Sequence, residues 1–83
     1  MATLDSVQSD IIRLLGEKIE GDLTLTADTD IVVDTGLDSV SVMDFVFELE
    51  DEFSITVPLD RISDVKTVGQ LSAAIHGLIL EDA

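Results

Sequence analysis

Ser39 stands directly before an apolar and acidic stretch, Val40 to Phe53, that contains no Gly or Pro, so its hydroxyl lies at the start of a helix. At such a position unpaired backbone N–H groups and the helix dipole favour a negative group. A phosphate esterified to that hydroxyl would be electrostatically welcome. Asp38 precedes it, and either residue can cap the helix, so a plain cap is the competing account of the Asp-Ser pair. Two other chemistries can be tested against the residues. A serine nucleophile needs a base, but the single histidine, His76, falls in the last helical segment beside no obvious carboxylate, and no G-x-S-x-G elbow is present. The chain is therefore expected not to be an enzyme. The series Asp28, Asp30, Asp34, Asp38 invites calcium, but Val32 and Val33 stand where an oxygen ligand and the turn glycine are required, and no metal site is assigned.

The elements that must position Ser39 come from 83 residues, enough for one small domain and too few for a deep cleft with walls of its own. Leu4, Val7, Ile11, Leu14, Leu15 and Ile19 recur at helical steps and predict a first helix over about 4–20, with Thr3 as its cap. From 21 to 38 the pattern dissolves among Thr and Asp around the anchors Leu23, Leu25, Ile31, Val32 and Val33. This reads as a long ordered loop, with a short strand at the β-branched run Ile31 to Val33 as the alternative. A second helix is expected over about 39–53. Pro58 then opens a short third helix over about 59–64, and Thr67 with Gln70 makes a capping box for a fourth over about 67–80. The runs Leu78 to Ala83 and Met1 to Ala2 are expected to fray. The fold class is all-α: a small four-helix bundle of three main helices and one short one, with a long loop between the first two.

The second helix has two apolar faces. Stepping about 100° per residue from Val40, the side chains of Val42, Phe45, Val46, Leu49 and Phe53 share an arc of about 140° to 240°, which is the core face. Val40, Met43 and Phe47 fall on the opposite side, fringed by Asp44, Glu48, Glu50 and Asp51. Such a strip has the form of a docking surface, with apolar contacts supplying affinity and acids fixing the orientation of a basic partner. The competing account tucks Val40 or Met43 under the loop and Phe47 under the chain end.

Charge points the same way. The chain carries 18 Asp and Glu against 4 Lys and Arg, a formal charge of −14, and no cation occurs between Lys18 and Arg61. Such a field repels nucleic acid and anionic lipid, while a basic protein surface is steered toward it. There is no cysteine, hence no disulfide, thiolate metal site or thiol of its own, and no Asn for N-glycosylation. No export signal or membrane span is read, and a reducing, cytoplasmic setting fits best.

The string Asp34, Thr35, Gly36, Leu37, Asp38, Ser39, Val40, between a long loop and an apolar helix, resembles the phosphopantetheine attachment motif of the acyl carrier protein family. Gly16 to Lys18, the Glu48 to Phe53 run and Pro58 extend the resemblance over nearly the whole chain. It implies a carrier whose Ser39 receives a 4′-phosphopantetheine arm from coenzyme A through a phosphopantetheinyl transferase. The arm's thiol would hold acyl groups as thioesters for acyl-transfer and synthase enzymes of fatty-acid, polyketide or related lipid biosynthesis. It also implies a monomer that shelters acyl chains between its helices. Asp38 matches the aspartate before the modified serine, and Gly36 and Leu37 match the turn and its anchor. The helix from Val40 to Asp51 matches the one that partner enzymes recognise through basic docking patches. Departures from the common pattern, Val40 and Thr35 where Leu is frequent and a bulky Phe47, bear on cargo and partners. Within the family, an aminoacyl, peptidyl or specialised long-chain carrier is the alternative. Outside it stands an acidic helical adaptor in which Ser39 only caps.

Overall fold

Thr3 starts the first helix with a reciprocal cap: its Oγ1 accepts from the Ser6 N–H at 3.1 Å, and the Ser6 hydroxyl accepts from the Thr3 N–H at 2.9 Å. The structure, a computed structural model, describes residues 3–19 and 24–82. Helix α1, Leu4–Lys18, leaves Leu4 exposed at the first position beyond the cap and buries Val7, Ile11, Leu14 and Leu15 of the stripe that its periodicity predicts, with Ile19 packed partly buried beside them. It stops short of residue 20 because Ile19 turns to extended backbone, φ −103° and ψ 133°; Glu20 and Leu23 lie outside the described residues.

Helix α2, Ser39–Phe53, buries Phe45, Val46 and Leu49, with Val42 and Phe53 packed partly buried against the same core. It ends where Ser54 adopts a left-handed conformation, φ 54°, so that its N–H and that of Ile55 both return to the Glu50 carbonyl. Helix α3 is a single turn, Leu59–Ile62, entered from Pro58. It is shorter than 59–64 because the Val65 N–H reaches back to the Ile62 carbonyl at 3.0 Å and closes a tighter turn. Helix α4, Val68–Asp82, has the expected capping box: Gln70 N–H donates to Thr67 Oγ1, and Gln70 Oε1 accepts from Thr67 N–H, both at 3.1 Å. Residues 78–82 continue the helix instead of fraying, since Leu78 is buried, Ile79 packs on the core and Glu81 is paired with Arg61.

Helix α1 packs on α4 and α2, and α3 on α4, around a core centred on Phe45, Ile11, Leu15, Leu49 and Ile75. The described part of the loop into α2, residues 24–38, forms no strand. Ile31 N–H donates to the Lys66 carbonyl at 2.8 Å and Val68 N–H to the Thr29 carbonyl at 3.0 Å, an isolated bridge that pins the loop to the start of α4. Gly69 makes this approach feasible: a Cβ there would stand 3.1 Å from the Ala27 carbonyl oxygen. Beyond the bridge the β-branched run is bent. Asp30 Oδ1 accepts from the N–H groups of Val32 at 2.9 Å and Val33 at 2.7 Å, and the Asp34 carboxylate accepts from Asp30 N–H. Ile31 is buried, but Val32 and Val33, expected as anchors, stand exposed.

Three of the four cations close seams between elements. Arg13 meets Glu52 at 3.1 Å and Lys18 meets Glu48 at 2.7 Å, both from α1 to α2, while Arg61 of α3 pairs with Glu81 of α4. Exposed pairs of this kind contribute little each, whereas 18 carboxylates on an 83-residue domain repel one another throughout. Repulsion therefore outweighs the pairs, and screening acts on the larger effect. The melting temperature is expected to rise from low to moderate salt, measured by circular dichroism; a flat or falling curve contradicts this balance.

Candidate functional site

The cap at the start of α2 is Asp38. Its backbone is extended, φ −84° and ψ 174°, and its Oδ1 accepts from the Ser41 N–H at 2.8 Å, while its carbonyl receives the Val42 N–H at 3.0 Å. Ser39 is the first residue inside the helix, exposed, and its hydroxyl makes no hydrogen bond among the described residues. The N–H groups of Ser39 and Val40 have no backbone partner there either, so an exposed hydroxyl lies among unpaired donors at the positive end of a 15-residue helix. An adaptor in which Ser39 serves as the cap does not match this geometry.

The approach to Ser39 is held by the turn before it. Gly36 takes φ +73° with nothing within 4 Å of where a Cβ would be, so the glycine serves backbone conformation and not close packing. The Thr35 hydroxyl donates to the Ile31 carbonyl and accepts from Leu37 N–H at 3.2 Å. Leu37 then packs half-buried against the core and ties the loop down two residues before Ser39.

The hydrogen bond from the Ser41 N–H, aided by the Ser41 side chain, holds the Asp38 carboxyl below its ordinary range. A depressed folded pKa means that the stability contributed by this cap is complete above the unfolded aspartate value and is lost as pH falls through the lower folded one. Melting temperature followed from about pH 5 to about pH 2 is expected to fall for the native chain toward that of Asp38→Asn, with the gap between the two largest at the upper end. A gap that stays constant across that range would show that the Asp38 charge does not act through the cap.

Outward from the core, α2 presents Val40 at 69% and Phe47 at 59% exposure, with Asp44 and Asp51 exposed beside them and in no ion pair among the described residues. Met43 is only half-buried at the margin of the strip. The two remaining acids read as part of this face are differently employed. Glu48 is bound to Lys18, whose ammonium it holds above the ordinary range, and Glu50 turns toward the following loop, where its Oε2 accepts from Val57 N–H at 2.8 Å. Glu50 is thus a clasp for the 54–57 turn and not a side chain of the outward strip. Stepping along the helix already sets Glu50 about 80° from Val40 and Asp51 only about 20° from it, but the Val57 N–H that recruits Glu50 is a partner that periodicity does not show.

Under the other side of α2 lies a cleft of about 320 Å³. Val42, Phe45 and Val46 form one wall, and Ile31 to Val33 with Ile62, Val65 and Leu71 form the other, with Asp30 and Lys66 as its two ionic residues. Val42 is three residues after Ser39, about 4.5 Å along the helix axis, so the α2 wall of the cleft begins within one turn of Ser39. Helical periodicity cannot show this opening, which depends on how far the loop and α3 stand from α2.

A family model for the phosphopantetheine attachment site matches residues 5–75. A Caulobacter vibrioides protein named "probable acyl carrier protein" is 39% identical over 66 residues, covering 80% of this chain and 72% of its own. The chain belongs to the acyl carrier protein family. The acyl carrier protein of Exiguobacterium sibiricum is 34% identical over 75 residues, covering 89% of this chain and 95% of its own. Among solved structures, the acetyl form of the actinorhodin acyl carrier protein from Streptomyces coelicolor superposes with a TM-score of 0.67 at 28% identity, over 99% of this chain and 95% of that one.

Acyl carrier proteins are carriers, not enzymes, and their prosthetic group is 4′-phosphopantetheine. The residues present fit it. A phosphodiester needs a hydroxyl free to be esterified and donors to meet its charge, and the exposed Ser39 Oγ beside the unpartnered N–H groups of α2 supplies both.

Proposed function

We propose that Ser39 is the attachment point of the arm and that the protein passes acyl groups, held as thioesters on the arm's thiol, between separate enzymes of fatty-acid, polyketide or related biosynthesis. The observation that carries this is the division of labour at positions 38 and 39. Asp38 does all the capping, which leaves the Ser39 hydroxyl exposed and uncommitted between the outward strip of α2 and the mouth of the cleft.

Each of the chain's own parts then has a task. Gly36 and Leu37 hold the turn that presents Ser39, and the first turn of α2 orients the phosphate. Val40, Met43, Asp44, Phe47 and Asp51, with Glu48 at the margin, offer a basic partner a narrow apolar and acidic track that ends at the serine. The partners are a phosphopantetheinyl transferase and the acyl-transfer and synthase enzymes, the carrier acting as a monomer in the cytoplasm. The cleft behind Val42 gives a short acyl chain shelter from water.

Intact mass after incubation with coenzyme A and a phosphopantetheinyl transferase tests the proposal, with peptide mapping to locate the addition. One addition on Ser39 is expected. An unchanged mass with several competent transferases, or an addition on Ser41, would overturn it.

A further inference from the structure

Among the described residues Lys66 is the one cation without an ion pair. Arg13, Lys18 and Arg61 are each bound to carboxylates of neighbouring elements, yet Lys66, in a chain of charge −14, pairs with none of the described carboxylates. It lines the cleft beneath α2, on the wall formed by the loop and the start of α4. Its backbone is fixed on both sides: its N–H donates to Gln70 Oε1 at 2.8 Å, and its carbonyl accepts from Ile31 N–H at 2.8 Å. Its stem therefore springs from a fixed point at the edge of a largely apolar cavity, and its ammonium, though it acts on the Asp30 carboxylate at a distance, makes no hydrogen bond among the described residues. Asp30, the other ionic residue of that wall, spends Oδ1 on two loop N–H groups.

A purely hydrocarbon guest has no use for this ammonium. A chain carrying an oxygen does, because a carbonyl taken into an apolar cleft without a donor loses its water bonds uncompensated. A carboxylate guest is disfavoured by Asp30 and by the field of the whole chain, whereas a neutral carbonyl escapes that repulsion. The cleft volume of about 320 Å³ corresponds to room for about ten groups the size of a water molecule.

We propose that Lys66 is a specificity-determining residue that lets the cleft hold a short acyl chain bearing a neutral keto oxygen in preference to a saturated chain of the same length. This rests on the attachment of the arm at Ser39. Lys66 donates a hydrogen bond to the keto oxygen while the hydrocarbon part packs on Val42, Phe45 and Val46.

The test uses the full chain carrying the arm, its loading confirmed by mass, acylated with an eight-carbon saturated chain or with the same chain bearing one mid-chain keto group. Two readouts are taken: the NMR signal of the Lys66 ammonium and the rate of thioester hydrolysis in water, in the native chain and in Lys66→Met, which keeps the stem and removes the donors. The keto chain is expected to shift the Lys66 signal and the saturated chain to leave it in place. Lys66→Met is expected to speed hydrolysis of the keto thioester about two- to tenfold and to leave the saturated one unchanged. An unmoved Lys66 signal with the keto chain, or equal effects of Lys66→Met on both thioesters, overturns the proposal. Failure of the arm to load at all would instead count against Ser39.

Discussion

Replacing Ser39 with alanine is expected to abolish the covalent addition completely while leaving the fold and its melting temperature almost unchanged. The combination matters because the two roles open to a serine at a helix start make opposite demands. A capping serine removed from this position would cost about 1 kcal/mol, since a buried or half-buried end would lose the partner of one of its N–H groups. Ser39 holds no such bond. Asp38 takes the Ser41 N–H, and Ser39 is the first helical residue, where alanine is at least as good a helix former. The change should therefore lie within about 0.5 kcal/mol, as for an ordinary exposed site. Asp38→Ala should show the reverse pattern, with a lowered melting temperature and Ser39 still present to be modified. Thermal unfolding and intact mass on the two variants together check the assignment. A Ser39→Ala chain that melts well below the native one, or that still gains the mass of the arm, would contradict it.

Phe45→Ala is expected to be the most damaging single change to the fold. Phe45 is fully buried, the largest side chain in the core, and it also forms part of the cleft wall. Truncating a buried phenylalanine costs about 3–5 kcal/mol, through lost transfer free energy and the cavity left behind. Small domains have only about 5–15 kcal/mol in total, and one of 83 residues lies toward the low end, so a substantial unfolded fraction is expected at room temperature. Urea denaturation should show the midpoint falling by more than half. Because the cleft opens beside this ring, some of the void can join the cleft and fill with water, which places the cost nearer the lower figure. A midpoint that barely moves would mean that α2 is not anchored through Phe45.

The contrast between Phe45 and Phe47 shows why so much of the arrangement is legible in the sequence. Two positions apart on one helix, they are separated by about 200°. Simple stepping from Val40 sends Phe45 to the core and Phe47 outward, and they are 0% and 59% exposed. The same arithmetic places the buried stripe of α1 and the capping box of α4, because helix periodicity and caps are local properties of the chain. It fails where a side chain closes a local turn against the hydropathy pattern, and where a residue's partner is distant in sequence. Val32 and Val33 look like anchors by hydropathy, but Asp30 bends them outward. Glu48, Glu50 and Asp51 look alike, yet one pairs with Lys18, one clasps Val57 N–H, and only Asp51 remains on the open face. Leu78 to Asp82 look like a loose end and are held by core packing and the ion pair of Glu81.

Sequence by itself determined the helices, the acidic field, the family and the pairing of Asp38 with Ser39, since each of these follows from composition or from residues within a few positions of one another. Tertiary structure decided which of those two residues caps, which acids of α2 stay on its open face, and that a cleft opens within a turn of the serine with a lysine on its wall that pairs with no described carboxylate. The cap spans three residues and the Glu50 clasp seven, but the pairing of Glu48 with Lys18 and the opening of the cleft depend on where α1, the loop and α3 come to rest against α2, through contacts between segments tens of residues apart that no local pattern encodes.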